Sequence, residues 1–475
     1  MNYKWLGVAG VLWAVSGYAA SPEEKMTTLA DQHELALTIY NDDLALVKDQ
    51  RQVNLVAGTN RLAWRDVSAR IRPETALLRS LDDASGLRLL EQNFDFDVLT
   101  PQKLLEKNVG NTVTVIKTNP VTGAEMRETA IVLAANAGVV LQYADRIETG
   151  VPGRLAFAAV PDNLRDRPTL VMTVADARAG VSRLELSYLT GGLSWRADYV
   201  AELSAREDKM DINGWVTLTN QSGVSYPNAK LQFVAGDVNR VREEVRPQVL
   251  MRGALALAKA DEAPMAQENL FEYHLYTLGR STTLADQQTK QVALLSAAQV
   301  PVRKSLELHG AEYYYQGSYV DLGKKLKVAV FVEFDNKGAG LGVPLPKGVM
   351  RLYKKDSAGN AQFVGEDTID HTAKNDTVRL KLGEAFDVYA EKKQTDFQKI
   401  SGGRNYTYES AYQITVNNAK SEAVTVKVFE PIPGDWQIIS ESAAHTKPAA
   451  GTALWQLRIP AEGSTVLTYR VRVKL

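Results

Sequence analysis

The sequence predicts a mainly β protein made of several β-sandwich or barrel-like domains in tandem, with little helix. Two observations lead to this prediction. Apolar and polar residues alternate with a period of two along much of the chain, as at Leu184, Leu186 and Tyr188, whereas sustained helical periodicity is scarce. Turn-forming sequences also separate these runs, at residues 119–123 and 356–360, which is typical of β-hairpins.

The first twenty residues have the features of a secretory signal peptide. Lys4 precedes an apolar stretch at residues 5–15, and the small residues Ala19 and Ala20 end the segment. An apolar core of about eleven residues is too short to cross a bilayer of roughly 30 Å as a helix. We therefore expect cleavage of residues 1–20 and an exported chain, periplasmic or extracellular, with no transmembrane segment after the leader.

The chain has 475 residues, more than one domain usually contains, and changes in its pattern suggest several boundaries. Residues 238–270 are rich in charge, Ala and Met, which predicts a linker, either ordered or disordered. The two glycines after Ser401 suggest another boundary, although the preceding sheet could instead continue. The predicted units are an N-terminal β-domain at 21–100, a small barrel-like β module at 101–150, a β-sandwich region at 151–237, the linker, a second β-domain at 271–400 and a C-terminal immunoglobulin-like sandwich at 401–475.

Composition argues against several classes of function. The 55 basic and 56 acidic residues give a net charge of −1, without the basic surplus that nucleic-acid binding needs. There is no cysteine and the histidines are far apart in sequence, so no metal is predicted. The glycines at 338–342 precede Pro344 and Pro346, which oppose the helix of a dinucleotide-binding loop, so no cofactor is predicted either.

One acidic cluster could carry acid-base chemistry. Asp367, Asp370 and His371 place two carboxylates near an imidazole, and these are groups that a hydrolase uses as general acid and general base. The alternative is a solvated turn between two strands at residues 362–364 and 377–382.

A tyrosine cluster is the candidate binding site. Tyr313, Tyr315 and Tyr319 are close in sequence, and rings that are exposed on a sheet could stack on sugars or on apolar residues of a partner. Because neighbouring strand positions face opposite sides, some of these rings must point inward, so packing in a core is the alternative.

Five segments in a fixed order resemble a known family. They are residues 40–47, 184–195, 331–336, 340–348 and 363–367. Together they resemble the bacterial family labelled domain of unknown function 4139, whose better-named relatives are called mucoidy-inhibitor A-like proteins. The resemblance runs over nearly all of the mature chain, although the long coiled-coil-like insert of such relatives is missing. It implies a connection to exopolysaccharide or envelope physiology and supplies no catalytic or binding residues.

These observations favour an exported, non-catalytic envelope protein that binds or scaffolds an envelope protein or a glycan. An envelope polysaccharide or peptide hydrolase that uses acidic residues is one alternative, and a purely structural spacer is another. The sequence does not establish catalysis, and it predicts no nucleic-acid partner.

Overall fold

The structure is a computed structural model that describes residues 23–83, 86–95, 98–136, 138–161, 164–236, 238–239, 265–319, 322–401 and 406–475. The predicted signal peptide and residues 240–264 of the predicted linker lie outside these ranges. Within them, no helix has both the length and the apolar character needed to cross a membrane.

The fold is mainly β, as predicted, and the strands are distributed over several sheets. In the first half of the chain they are β1 (Glu24–Thr27), β2 (Gln32–Tyr40), β3 (Leu44–Leu55), β4 (Gly58–Arg65), β5 (Leu77–Ser80), β6 (Leu87–Asp95), β7 (Thr112–Thr118), β8 (Glu125–Ala134), β9 (Val140–Gln142), β10 (Ile147–Thr149), β11 (Arg154–Ala156), β12 (Thr169–Asp176), β13 (Gly180–Thr190), β14 (Leu193–Leu203), β15 (Lys209–Asn220) and β16 (Tyr226–Ala235).

The second half adds fifteen strands to the described residues. They are β17 (Ala266–Leu270), β18 (Tyr273–Thr277), β19 (Thr282–Leu284), β20 (Gln288–Pro301), β21 (Arg303–His309), β22 (Leu326–Asp335), β23 (Gly348–Lys355), β24 (Ala361–Ile369), β25 (Thr377–Ser401), β26 (Thr407–Asn418), β27 (Val424–Pro431), β28 (Asp435–Glu441), β29 (Thr446–Ala449), β30 (Thr452–Ile459) and β31 (Gly463–Lys474). In the parts of the chain that the structure describes, helical structure is limited to α1 (Pro101–Glu106) and to 3-10 helices at Leu29–Asp31, Pro73–Thr75 and Glu312–Tyr315.

Hydrogen bonds join the strands into sheets that we number 1 to 5. Sheet 1 has the order β1-β4-β12-β6, and sheet 3 the order β10-β9-β8-β7-β11. Sheet 2 follows β17-β18-β16-β2-β3-β13-β5, with β19 also paired to β16. Sheet 4 has the order β20-β15-β14-β23-β24, and sheet 5 the order β28-β31-β26-β25-β22-β21-β27-β30-β29.

The strand order shows which parts of the chain share a sheet. Strands from residues 24–95 are combined with β12, β13 and β16 in sheets 1 and 2, while sheet 3 is built from residues 112–156. β25 and β26 are antiparallel neighbours, so the chain after residue 406 continues the sheet that precedes it. The predicted domain boundaries themselves stay predictions.

Buried apolar side chains form three cores. The main core packs sheets 1, 2 and 4 together and contains Trp64, Trp195 and Phe233. The C-terminal core fills sheet 5 and contains Trp436 and Trp455. A small third core belongs to sheet 3 and α1. Burial of these large side chains is the main source of stability.

The antiparallel pair of β22 and β25 runs from the main core into the C-terminal core. On β22, Phe334 belongs to the main core and Val328 to the C-terminal core. On β25, Leu380 and Val388 are divided in the same way. The two cores are therefore joined by continuous, hydrogen-bonded strands.

Sheet 4 is fixed against this strand pair where β24 approaches β25. A Cβ built on Gly365 would lie 2.5 Å from the carbonyl oxygen of Leu382, and the φ of Gly365 is +152°, which L side chains rarely adopt. Two residues further on, Asp367 Oδ2 accepts a hydrogen bond of 2.7 Å from the backbone amide of Lys381. A glycine and a carboxylate thus hold the two sheets in contact.

Replacing Gly365 by alanine tests this contact. We expect Gly365→Ala to lower the free energy of unfolding by about 3 kcal/mol or more, because the new Cβ meets backbone and φ becomes unfavourable. Gly359→Ala is the matched control, since Gly359 also has a positive φ of +87° but nothing lies within 4 Å of its added Cβ. Gly359→Ala should lower the free energy of unfolding by about 1 kcal/mol, as measured by urea denaturation. Equal losses in the two variants would contradict the close approach.

Candidate functional site

The predicted acidic cluster lies in and just after β24. Asp367 lies in β24 rather than in a turn, and its carboxylate accepts hydrogen bonds from the amides of Thr368 and Lys381. Asp370 and His371 lie beyond the strand and are exposed. His371 Nδ1 accepts a hydrogen bond of 3.2 Å from the amide of Lys347. The side chains of Asp367 and His371 thus each bind a backbone amide, and the catalytic role of the cluster stays a prediction.

Metal-ligating side chains are also dispersed in the part of the chain that the structure describes. No group of three or more His, Cys, Asp or Glu residues there could hold a metal ion.

The predicted tyrosine cluster divides into buried and exposed rings. Tyr315 is fully buried, so in this structure it offers no face to a ligand. Tyr313 has 52 % of its surface exposed, and Tyr319 is partly exposed. Their rings contact each other edge to face at 5.7 Å between centroids. Only these two of the three tyrosines can contact a partner.

Tyr315 instead surrounds a buried ion pair together with Tyr314 and with rings from the neighbouring strands β26 and β31 of sheet 5. Lys392 Nζ lies 2.7 Å from Glu430 Oε2, and both side chains are 1 % exposed. Tyr315 donates a hydrogen bond of 2.6 Å to the same oxygen and is 2.8 Å from the hydroxyl of Tyr469. The ammonium group also lies within 6 Å of the ring centroids of Tyr314, Tyr315, Tyr412 and Tyr469.

This tyrosine cage compensates the desolvation of the lysine charge. Burial lowers the pKa of Lys392, and the nearby carboxylate of Glu430 opposes that shift. Hydrogen bonds and ring faces replace part of the lost hydration. Because all of these groups are buried, the cage is a structural device that anchors the 3-10 helix Glu312–Tyr315 on the C-terminal core.

An accessible cavity lies between the main core and the C-terminal core. We call it the junction cleft; its volume is about 160 Å³. Five aliphatic side chains from sheets 4 and 5, four charged side chains and one glycine line it. The lining residues are Leu203, Glu207, Lys304, Val330, Val332, Lys354, Val364, Leu382, Gly383 and Glu384.

The strand pair that links the two cores creates the cleft. Val332 on β22 packs in the main core, while Val330 packs against the C-terminal core. Leu382 on β25 packs only partly against the main core, and Val364 on β24 keeps 39 % of its surface exposed. The cleft is therefore a gap between two packed units whose floor is the β22–β25 pair.

Three of the charged residues that line the cleft form an ion triad. Glu207 lies in the turn after β14, with a φ of +58°, and its two carboxylate oxygens pair with Lys304 and Lys354. Burial tends to raise the pKa of Glu207, but the hydrogen bonds and charges of the two lysines outweigh it and lower the pKa to about 2. The triad thus connects the turn after β14 with β21 and β23 beside the cleft.

Comparison with known families agrees with the resemblance drawn from the sequence. Residues 184–475 match the family described as "Domain of unknown function (DUF4139)". This is more than half of the chain, and the chain belongs to this family. The match does not extend to the narrower mucoidy-inhibitor A-like label, and no curated protein matches the chain.

The buried ion pair can be tested with a double-mutant cycle. Lys392→Met and Glu430→Leu should each lower the free energy of unfolding by about 3–5 kcal/mol, because each leaves one charge buried without its partner. The double variant should recover much of the loss, giving a coupling of at least about 2 kcal/mol in urea denaturation.

Exposed Lys230 and Glu34 form the control pair, 2.8 Å apart. Lys230→Met and Glu34→Leu should couple by at most about 1 kcal/mol. Additive losses at Lys392 and Glu430 would contradict the buried pair.

The ion triad predicts a pH dependence of stability. A depressed carboxyl pKa adds stability above the unfolded pKa of 4.5, and this stability is lost as the pH falls toward about 2. Glu207→Gln should therefore be about 1–2 kcal/mol less stable than the wild type at neutral pH, and the difference should shrink between about pH 5 and pH 2. Urea denaturation across this range measures it.

Glu202 provides the control, because it forms an exposed ion pair with Lys355 on the neighbouring strand. Glu202→Gln should change stability by no more than about 0.5 kcal/mol at any pH. A Glu207→Gln difference that stays constant with pH would refute the role given to the two lysines.

Proposed function

We propose that this member of the family of unknown function 4139 is an exported, non-catalytic envelope protein that binds a partner protein through the junction cleft. The predicted leader supports export to the periplasm or beyond, and the implied link of its relatives to envelope physiology agrees with this. The bound group is one apolar ring, supplied by the partner's side chain. The chain then acts as a scaffold on which that partner is held.

The size and lining of the cleft carry this proposal. Its volume of about 160 Å³ is close to that of an engineered protein cavity of about 150 Å³ that binds benzene. The walls are aliphatic, from Leu203, Val330, Val332, Val364 and Leu382. One aromatic side chain would fill this space and remove apolar surface from water.

The same lining favours a protein side chain over a sugar. A sugar ring would bring hydroxyl groups against the five aliphatic side chains of the lining, and each unpaired hydroxyl there is unfavourable. Glu207 and its two lysines also line the cleft, but they already pair with one another. Asp367, Asp370 and His371 are not among the lining residues.

Toluene, which has the structure of a phenylalanine side chain, is the probe that tests the cleft. Methyl NMR of the Leu- and Val-labelled mature chain should show saturable shifts at Leu203, Val332, Val364 and Leu382, with a dissociation constant on the order of 1 mM. Leu and Val methyl groups remote from the cleft should not shift.

Two tryptophan variants serve as a matched pair for this experiment. Val364→Trp fills the cleft with its own side chain and should abolish the shifts at the other lining residues. Val466→Trp places the same ring at another exposed position, 48 % exposed in the wild type, and should leave toluene binding unchanged. Shifts that do not saturate, or that survive in Val364→Trp, would reject the proposed binding site.

A further inference from the structure

An exposed phenylalanine lies beside the junction cleft. Phe386 has 97 % of its surface exposed, the highest value among the large apolar side chains that the structure describes. It stands at a β-bulge of β25: Glu384 pairs with Ala329 and Tyr389 with Lys327, so residues 385–388 have no partner of their own on β22. Sheet residues on either side hold the bulge in place.

The ring and the cleft belong to one patch of surface. Glu384, which lines the cleft, is two residues from Phe386. Two residues of chain span at most about 7 Å, so the backbone of Phe386 lies beside the cleft. Because Phe386 is almost completely exposed, its ring is not seated in the cleft of its own chain.

A patch that carries both a ring and a cleft of matching size is complementary to a copy of itself. In a two-fold symmetric pair, the ring of each copy meets the cleft of the other, and both contacts form at once. The cleft has a volume of about 160 Å³, and an engineered cavity of about 150 Å³ holds benzene, so the cleft has room for one ring.

Charge around the patch does not oppose such a pair. Lys327 and Glu384 form an ion pair next to the bulge. The other charged residues of the cleft lining are Glu207, Lys304 and Lys354. Three lysines and two glutamates nearly cancel, and the whole chain has a net charge of −1. Repulsion between two copies is therefore small.

We propose that the junction cleft binds Phe386 of a second copy of this chain, in a symmetric dimer with two reciprocal contacts. This inference rests on the proposed function, because it names the partner that supplies the ring. The dimer places Gly383 and Glu384 of both copies at the two-fold interface, and it buries a side chain that a monomer leaves in water.

Sedimentation equilibrium of the full mature chain tests the dimer. The wild type should be dimeric at tens of micromolar, and Phe386→Ser should weaken the dimer by at least about a hundredfold, because two rings lose their apolar contacts. Phe271→Ser is the matched control, since Phe271 is 87 % exposed at a position outside the cleft lining. The Phe271→Ser variant should dimerise as strongly as the wild type.

Mixing two variants distinguishes the contribution of the ring to the dimer from that of the cleft. Phe386→Ser retains the cleft without the ring, and Val364→Trp retains the ring without an open cleft. Each should be monomeric alone where the wild type is dimeric. Their mixture should form a heterodimer through the one remaining contact, weaker than the wild-type dimer. Circular dichroism should show that both variants are folded.

The outcomes distinguish this inference from the function on which it rests. A monomeric wild type that still binds toluene overturns the dimer and leaves the cleft as the site for another protein. A dimer that is unaffected by Phe386→Ser, or a mixture that stays monomeric, also overturns it. In a dimeric wild type the ring of the second copy competes with toluene, so toluene binding is then measured on Phe386→Ser, whose cleft is open. Absence of both the dimer and this binding overturns the two proposals together.

Discussion

The structure depends on one strand pair that serves two cores. β22 and β25 contribute Phe334 and Leu380 to the main core and Val328 and Val388 to the C-terminal core. Two cores that share continuous hydrogen-bonded strands have a fixed spacing, because the strands cannot be compressed or stretched. That spacing leaves a gap that the side chains of neither core fill, and the gap is the junction cleft.

Polar interactions maintain this arrangement on both sides of the gap. On one side, Asp367 hydrogen-bonds to β25 where Gly365 lets the backbones meet. On the other, the Lys392–Glu430 pair inside the tyrosine cage anchors a 3-10 helix on the C-terminal core. Because desolvation offsets much of the attraction within a buried ion pair, the pair adds little net stability, whereas removing one partner alone is strongly destabilising. Asp367, a catalytic candidate in the sequence, makes one of these architectural contacts.

Much of the fold could be predicted from the sequence, because period-two alternation reports directly which strand face is buried. The same alternation also predicts a buried acid. Val426 and Val428 lie on a buried strand face, and continuing the alternation places Glu430 on that face too. The cleft could not be predicted, since Leu203, Val332 and Val364 come from three different strands and meet only through the packing of sheets. Strand alternation gives the orientation of a residue within its sheet and says nothing about gaps between sheets.

The central claim is that the junction cleft is an apolar site for one ring, and crystals pressurised with xenon test it most directly. Xenon binds in apolar protein cavities of this size. The account predicts an anomalous scattering peak against Leu203, Val332 and Val364, or an apolar side chain of a neighbouring copy already seated there. Ordered water filling the cleft, with xenon elsewhere or nowhere, would contradict it.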